Sequence, residues 1–139
     1  MDKKYNNLIL ILLIFLLALF IRMAYLYFIM GINSPLPSYN LPDQKFYDSI
    51  AISLWKNREF SVVLGEPIGT RPPAYPLFLA AIYSLFGHSL IAVRIIQTLI
   101  SSLSCVLSFI IAKKLFDRTT AIFSGLLVAV SPAMVYLSG

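Results

Sequence analysis

One carboxylate and three arginines carry most of the chemistry this sequence can offer. Asp43 follows Pro42 at the head of an amphipathic stretch, and Arg22, Arg71 and Arg94 lie in or beside strongly apolar segments. A carboxylate held at a bilayer surface can take a proton from a hydroxyl or ligate a metal. Guanidinium forks bind phosphate oxygens in pairs. Taken alone, Asp43 reads first as an N-cap, where it accepts backbone N–H groups and suits the helix dipole. The two roles are compatible, because a cap also fixes the side chain. Asp48, five residues on, is about 140° round a helix from Asp43 and reads as charge on the solvated face. A charge at mid-bilayer costs roughly 2.5–3.5 kcal/mol. Arg22 falls roughly 20 Å along an apolar run counted from Leu8, and Arg94 falls near one end of another. Both either snorkel to phosphates or turn towards protein. Gln97 shares a face with Arg94 and gives that helix a polar edge. With Arg71, the three guanidinium groups form a candidate cradle for a phosphate or pyrophosphate headgroup.

Other chemistries are excluded. His88 is the only histidine, so no His-based metal cluster exists, and it reads as lining the turn at Gly87. Cys105 is the only cysteine; it can form no internal disulfide and reads as a small buried hydrophobe. There is no Ser/His/Asp or Cys/His nucleophile set, no P-loop and no Gly-rich dinucleotide loop. Basic and aromatic residues do not cluster as on a nucleic-acid surface.

The elements that must position these groups are membrane elements. The chain has 139 residues, 59% hydrophobic and 12% charged, with a mean hydropathy of +0.84. A soluble domain carries about a quarter charged residues, so the expected fold is an all-α polytopic membrane protein. A span needs roughly 20 apolar residues, and three segments qualify: about 8–30, about 90–112 and about 120–137, the last kinked by Pro132. The first is too long for a signal peptide and lacks a small-x-small cleavage site, so it reads as an uncleaved anchor. Lys3 and Lys4 before the first span, and Lys113, Lys114 and Arg118 between the other two, place both segments in the cytoplasm. Residues 31–73 then form an outer loop, with four basic residues (Lys45, Lys56, Arg58, Arg71) balanced by four acidic ones (Asp43, Asp48, Glu59, Glu66). Within the loop, 43–57 places Phe46, Tyr47, Ile50, Ala51, Leu54 and Trp55 at helical spacing and reads as an interfacial helix. Residues 75–87 are too few to span; they read as an interfacial or re-entrant helix with Gly87 as its stop. Between the two, Pro72 and Pro73 are expected to hold an extended lead-in that aims Arg71 at the interface.

Three strings carry a resemblance: Asp43-x-x-x-Tyr47-x-x-x-Ala51, then TRPPAYPLFLAAIYSLFGHSLIAVRIIQTLISSL, then IIAKKLFDRTTAIFSGLLVAVSPAMVYLS. Together they resemble the N-terminal part of GT-C fold glycosyltransferases of the protein O-mannosyltransferase and aminoarabinose transferase group. That resemblance implies a donor sugar on a polyprenyl phosphate, an acceptor protein or glycolipid, and transfer with inversion at the outer face of the cell membrane. It implies Asp43 as the catalytic base. Arg71, with Arg22 and Arg94, would meet the donor phosphate, and Tyr47, Tyr75 and Gln97 would wall the site. Many members read Asp-Glu where this chain has Asp43-Gln44, which weakens the case for a metal; a divalent metal stays open and no cofactor is assigned. Members have around a dozen spans, which implies that these 139 residues are an N-terminal piece, inactive alone. The alternative is a non-catalytic membrane subunit or lipid-phosphate-binding module acting with a partner chain. A transporter fragment ranks last, because transporters gather polar residues near the midplane and here they gather at one surface.

Overall fold

The computed structural model describes residues 3–31, 42–63, 66–67 and 72–138. Helix α1 (Lys3–Tyr25) runs into a single π-helical stretch, Leu26–Met30. Then come α2 (Pro42–Asn57), the short strands β1 (Ser61–Val63) and β2 (Glu66–Pro67), α3 (Ala74–Phe86), α4 (Leu90–Leu115), α5 (Arg118–Val130) and α6 (Pro132–Tyr136). They form two compact units: residues 1–32 with 94–139, and residues 33–93.

The first unit is built for lipid. Two helical stretches, Asn7–Ile29 and Leu90–Leu115, are long and apolar enough to cross a membrane. A core helix of a soluble protein would be mostly buried. Here 17% of the first apolar window and 28% of the second are buried within the protein. Leu12, Leu13, Leu16 and Phe20 on α1, Leu103, Leu107 and Ile111 on α4, and Phe123 and Leu127 on α5 all stand exposed. An apolar surface that large in water would be an aggregation site; in hydrocarbon it carries no cost.

Without a hydrophobic drive between helices in lipid, close packing and hydrogen bonds must hold them together. Ile14 and Ala18 of α1 pack with Cys105, Phe109 and Ala112 of α4 and with Ala121 and Ala129 of α5. Cys105 is a free, buried thiol. The Ser108 and Ser124 hydroxyls are 2.7 Å apart and bond α4 to α5. Thr98 donates to the Ser138 carbonyl at 3.2 Å, tying α4 to the segment after α6. Among the described residues, no buried side-chain nitrogen or oxygen lacks a hydrogen-bond partner.

The third apolar segment differs from a single kinked helix. It is 13 residues of α5, a break, and five of α6. Ser131 (φ −58°, ψ 119°) leaves the helix between them, as a residue before proline is pushed to do. Asp117 starts α5 by accepting from the Thr119 and Thr120 N–H groups at 3.1 and 3.3 Å, and from the Thr120 hydroxyl. The Thr120 hydroxyl and these N–H groups hold the Asp117 carboxyl below its ordinary range.

In the second unit α2 packs on α3 and on β1. The antiparallel pair β1–β2 has Ser61 opposite Pro67 and Val63 opposite Glu66. This small hairpin is an addition to the all-helical fold expected from sequence. Segments of two and three residues are too short to show an alternating pattern. The Ser53 and Ser61 hydroxyls, 3.1 Å apart, link α2 to β1.

The approach of α1, α4 and α5 turns on Gly125. A Cβ added there would lie 3.1 Å from Ile14 Cδ1 and 3.3 Å from Phe109 Cβ. Gly125→Leu is therefore expected to separate the helices and cost about 1–3 kcal/mol, read as a lower thermal midpoint in detergent. An unchanged midpoint would mean that the three helices do not meet at this glycine.

Candidate functional site

Helix α2 presents Asp43 in its first turn. Proline fits the first helical position, having no N–H to leave unpaired, so Asp43 lies one place inside the helix rather than at its cap. The carboxylate is exposed and sits where the helix dipole favours negative charge. Tyr47 follows four residues on, on the same face. Its ring meets Tyr75 of α3 edge-on, centroids 5.4 Å apart at 88°. Tyr75 in turn lies near-parallel to Phe78, at 6.3 Å and 24°. Two of the expected wall residues, Tyr47 and Tyr75, are thus brought together, one turn from the expected base.

The lead-in to α3 is not extended throughout. Pro73 adopts a helical conformation (φ −79°, ψ −17°), and its carbonyl accepts the Leu77 N–H at 3.0 Å. Proline fixes φ but leaves ψ free when no second proline follows, and Ala74 allows the helix to open here. Arg71 lies outside the described residues.

A second constellation was not anticipated. Asp48, read from sequence as a solvated charge, is mostly covered, its side chain 15% exposed. Its Oδ1 accepts from the Tyr83 hydroxyl at 2.6 Å and lies 3.0 Å from His88 Nε2. His88, expected to line the Gly87 turn, instead reaches back to α2 while remaining 42% exposed. Its ring stands edge-on to Tyr83 at 4.9 Å, and Trp55 packs on the other side of α2's contact with Tyr83 at 6.3 Å. Burial, then the hydrogen bond and charge of Asp48 and the nearby Tyr75, push the Tyr83 phenol well above its ordinary range. The phenol therefore stays a donor, and Asp48 stays its acceptor. The sequence signal was present: Asp48 shares a stripe with Ala51, Ile52 and Trp55 at i+3, i+4 and i+7, a pattern that faces a neighbour.

The membrane arginines occupy the other unit. Arg22 is completely buried. Its Nε donates to the Ser101 hydroxyl at 2.9 Å, its Nη1 to the Ala18 and Ala129 carbonyls at 3.3 Å, and its Nη2 to the Val128 carbonyl at 3.4 Å. A guanidinium so enclosed ties α1 to α4 and α5 through these contacts. Arg94 is 5% exposed and donates to the Gly31 carbonyl at 3.3 Å, just past the π-helical end of the first apolar stretch. Gln97 stands one turn further along α4, partly buried. Among the described residues, no group of three or more His, Cys, Asp or Glu side chains could hold a metal.

A helical membrane protein with an acidic and aromatic face on its α2–α3 pair is the class these features define. Residues 70–139 match the dolichyl-phosphate-mannose-protein mannosyltransferase family. The chain belongs to that family of membrane glycosyltransferases. No curated protein and no solved structure matches the chain significantly.

The Asp48 constellation yields a direct test. Tyr83→Phe removes one hydrogen bond to a carboxylate and is expected to cost about 1.5 kcal/mol. The effect should appear as faster amide exchange in α2, with α1 and α5 unchanged. Equal exchange in α2 of both proteins would mean that this bond does not hold α2 on α3.

Proposed function

We propose that this chain forms the opening part of a GT-C glycosyltransferase that moves a sugar from a polyprenyl-phosphate donor to an acceptor hydroxyl on a protein or glycolipid. The family match over residues 70–139 carries this reading; the exposed Asp43, one turn from Tyr47 whose ring meets Tyr75, supports the assignment of a site. In this reading the N-terminus is cytoplasmic, α5–α6 forms a third crossing, and α2 and α3 lie at the outer surface of the cell membrane.

The chemistry is a single inverting displacement. The acceptor oxygen attacks the anomeric carbon as the bond from that carbon to the phosphate oxygen breaks. The hydroxyl proton passes to Asp43, and the polyprenyl phosphate leaves with the bonding electrons. Positive charge at Arg71 stabilises the leaving oxygen, where it is worth most. Tyr47 and Tyr75 wall the acceptor side of the site. In this reading Arg22 stays outside the cradle, because it is fully buried and donates to Ser101 and to three carbonyls.

Asp43→Asn in the full-length protein should lower transfer by about 10²–10⁴-fold while membrane insertion is unchanged. Normal transfer by that variant would remove the catalytic assignment. Arg71→Ala should raise KM for the lipid-linked donor and leave KM for the acceptor near its original value. An unchanged donor KM and turnover would count against its role at the phosphate.

A further inference from the structure

The break between α5 and α6 leaves carbonyls without their helical donors. In a continuous helix the Val128 carbonyl would accept from residue 132, and the Ala129 carbonyl from residue 133. Residue 132 is proline and has no N–H to give, and Ser131 turns the chain out of the helix, carrying Ala133 away from Ala129. These two carbonyls are thereby among the acceptors orphaned at the break, in a part of the protein surrounded by exposed apolar side chains. An unsatisfied backbone group in such a medium costs several kcal/mol.

Arg22 meets these same two atoms. Its Nη1 donates to the Ala129 carbonyl at 3.3 Å and its Nη2 to the Val128 carbonyl at 3.4 Å. Both bonds are longer than the usual mode of about 2.9 Å, but the donor is a cation and the acceptors form the negative end of a helix dipole. The fork geometry of a guanidinium suits two adjacent carbonyls as it suits two oxygens of a carboxylate. Ser101 fixes the Nε side at 2.9 Å and sets the plane of the group. No carboxylate pairs with Arg22 among the described residues, so these carbonyls and one hydroxyl are what keep its charge in the bundle.

We infer that Arg22 of α1 substitutes for the backbone donors lost at the Ser131–Pro132 break, so that the arginine and the proline form one coupled device. Neither makes sense alone. A buried arginine without the break faces carbonyls already bonded within α5, and the break without the arginine exposes two bare acceptors. The device locks a discontinuous third apolar segment against the first, and fixes where α6 departs from α5. It holds whether or not the chain transfers a sugar.

A double-mutant cycle on the full-length protein tests the coupling. Arg22→Met keeps the side chain's length without its donors, and Pro132→Ala restores an N–H opposite the Val128 carbonyl. In SDS-induced unfolding from mixed micelles, Arg22→Met is expected to lower the folded-to-unfolded ratio by at least about tenfold when Pro132 is present. In the Pro132→Ala background the same change should lower it by no more than about twofold. Should Arg22→Met alone fail to accumulate, accumulation of the double variant supports the coupling, and failure of both overturns it. An equal effect of Arg22→Met in the two backgrounds, or no effect when Pro132 is present, also overturns it.

Discussion

Hydrocarbon offers a backbone carbonyl no partner, and the first unit is organised around that constraint. Its helices satisfy their own interiors, but each end or interruption releases acceptors that something else must meet. Two of the most costly residues in the chain meet them. Arg22 reaches the C-terminal carbonyls of α5, and Arg94 reaches the Gly31 carbonyl past the end of the first apolar stretch. A charge in the bilayer costs roughly 2.5–3.5 kcal/mol by insertion scales, comparable with the cost of leaving a pair of acceptors bare. Each liability offsets the other. The small residues around them, Ala18, Ala129 and Gly125, then let the helices approach closely enough for a side chain to span the gap.

The second unit follows a different logic, because its polar groups have each other. Asp48 gathers the Tyr83 phenol and the His88 ring across the α2–α3 contact, and Ser53 with Ser61 secures the hairpin. Such a network is stable only when every member is satisfied. It sets the rotation of α2 on α3, and with it the contact of Tyr47 with Tyr75. For the base proposed at Asp43 this matters, since a small misplacement of a reacting group is expensive in rate.

Much of this was legible from the residues. Apolar length marks α1 and α4 as helices long enough to cross a membrane, helical spacing marks α2, and Gly87 at φ 70° ends α3. The strings around Asp43, Arg71 and Arg94 resemble the family that residues 70–139 then match. Direction was what the sequence withheld. An arginine near one end of a span reads equally as a phosphate ligand or as a helix cap, because both are arrays of oxygen acceptors. The break at Ser131 puts the Val128 and Ala129 carbonyls within reach of Arg22. Asp48 was misplaced for a related reason: angle around a helix was measured from Asp43, whereas its surroundings are set by the neighbouring helix. Pro73 was read as extended because two prolines in a row suggest it, yet only the first of a pair is so constrained.

The central functional claim is a displacement with Asp43 on one side of the sugar and positive charge on the other, and its stereochemistry tests it most directly. The full-length protein in native membranes would be given a polyprenyl-phosphate sugar of known anomeric configuration, and the product linkage assigned by NMR coupling constants. A base-assisted single displacement predicts an inverted anomeric centre. A retained configuration would contradict the arrangement of base and leaving group proposed for this site, and the absence of any transferred sugar would contradict the activity itself.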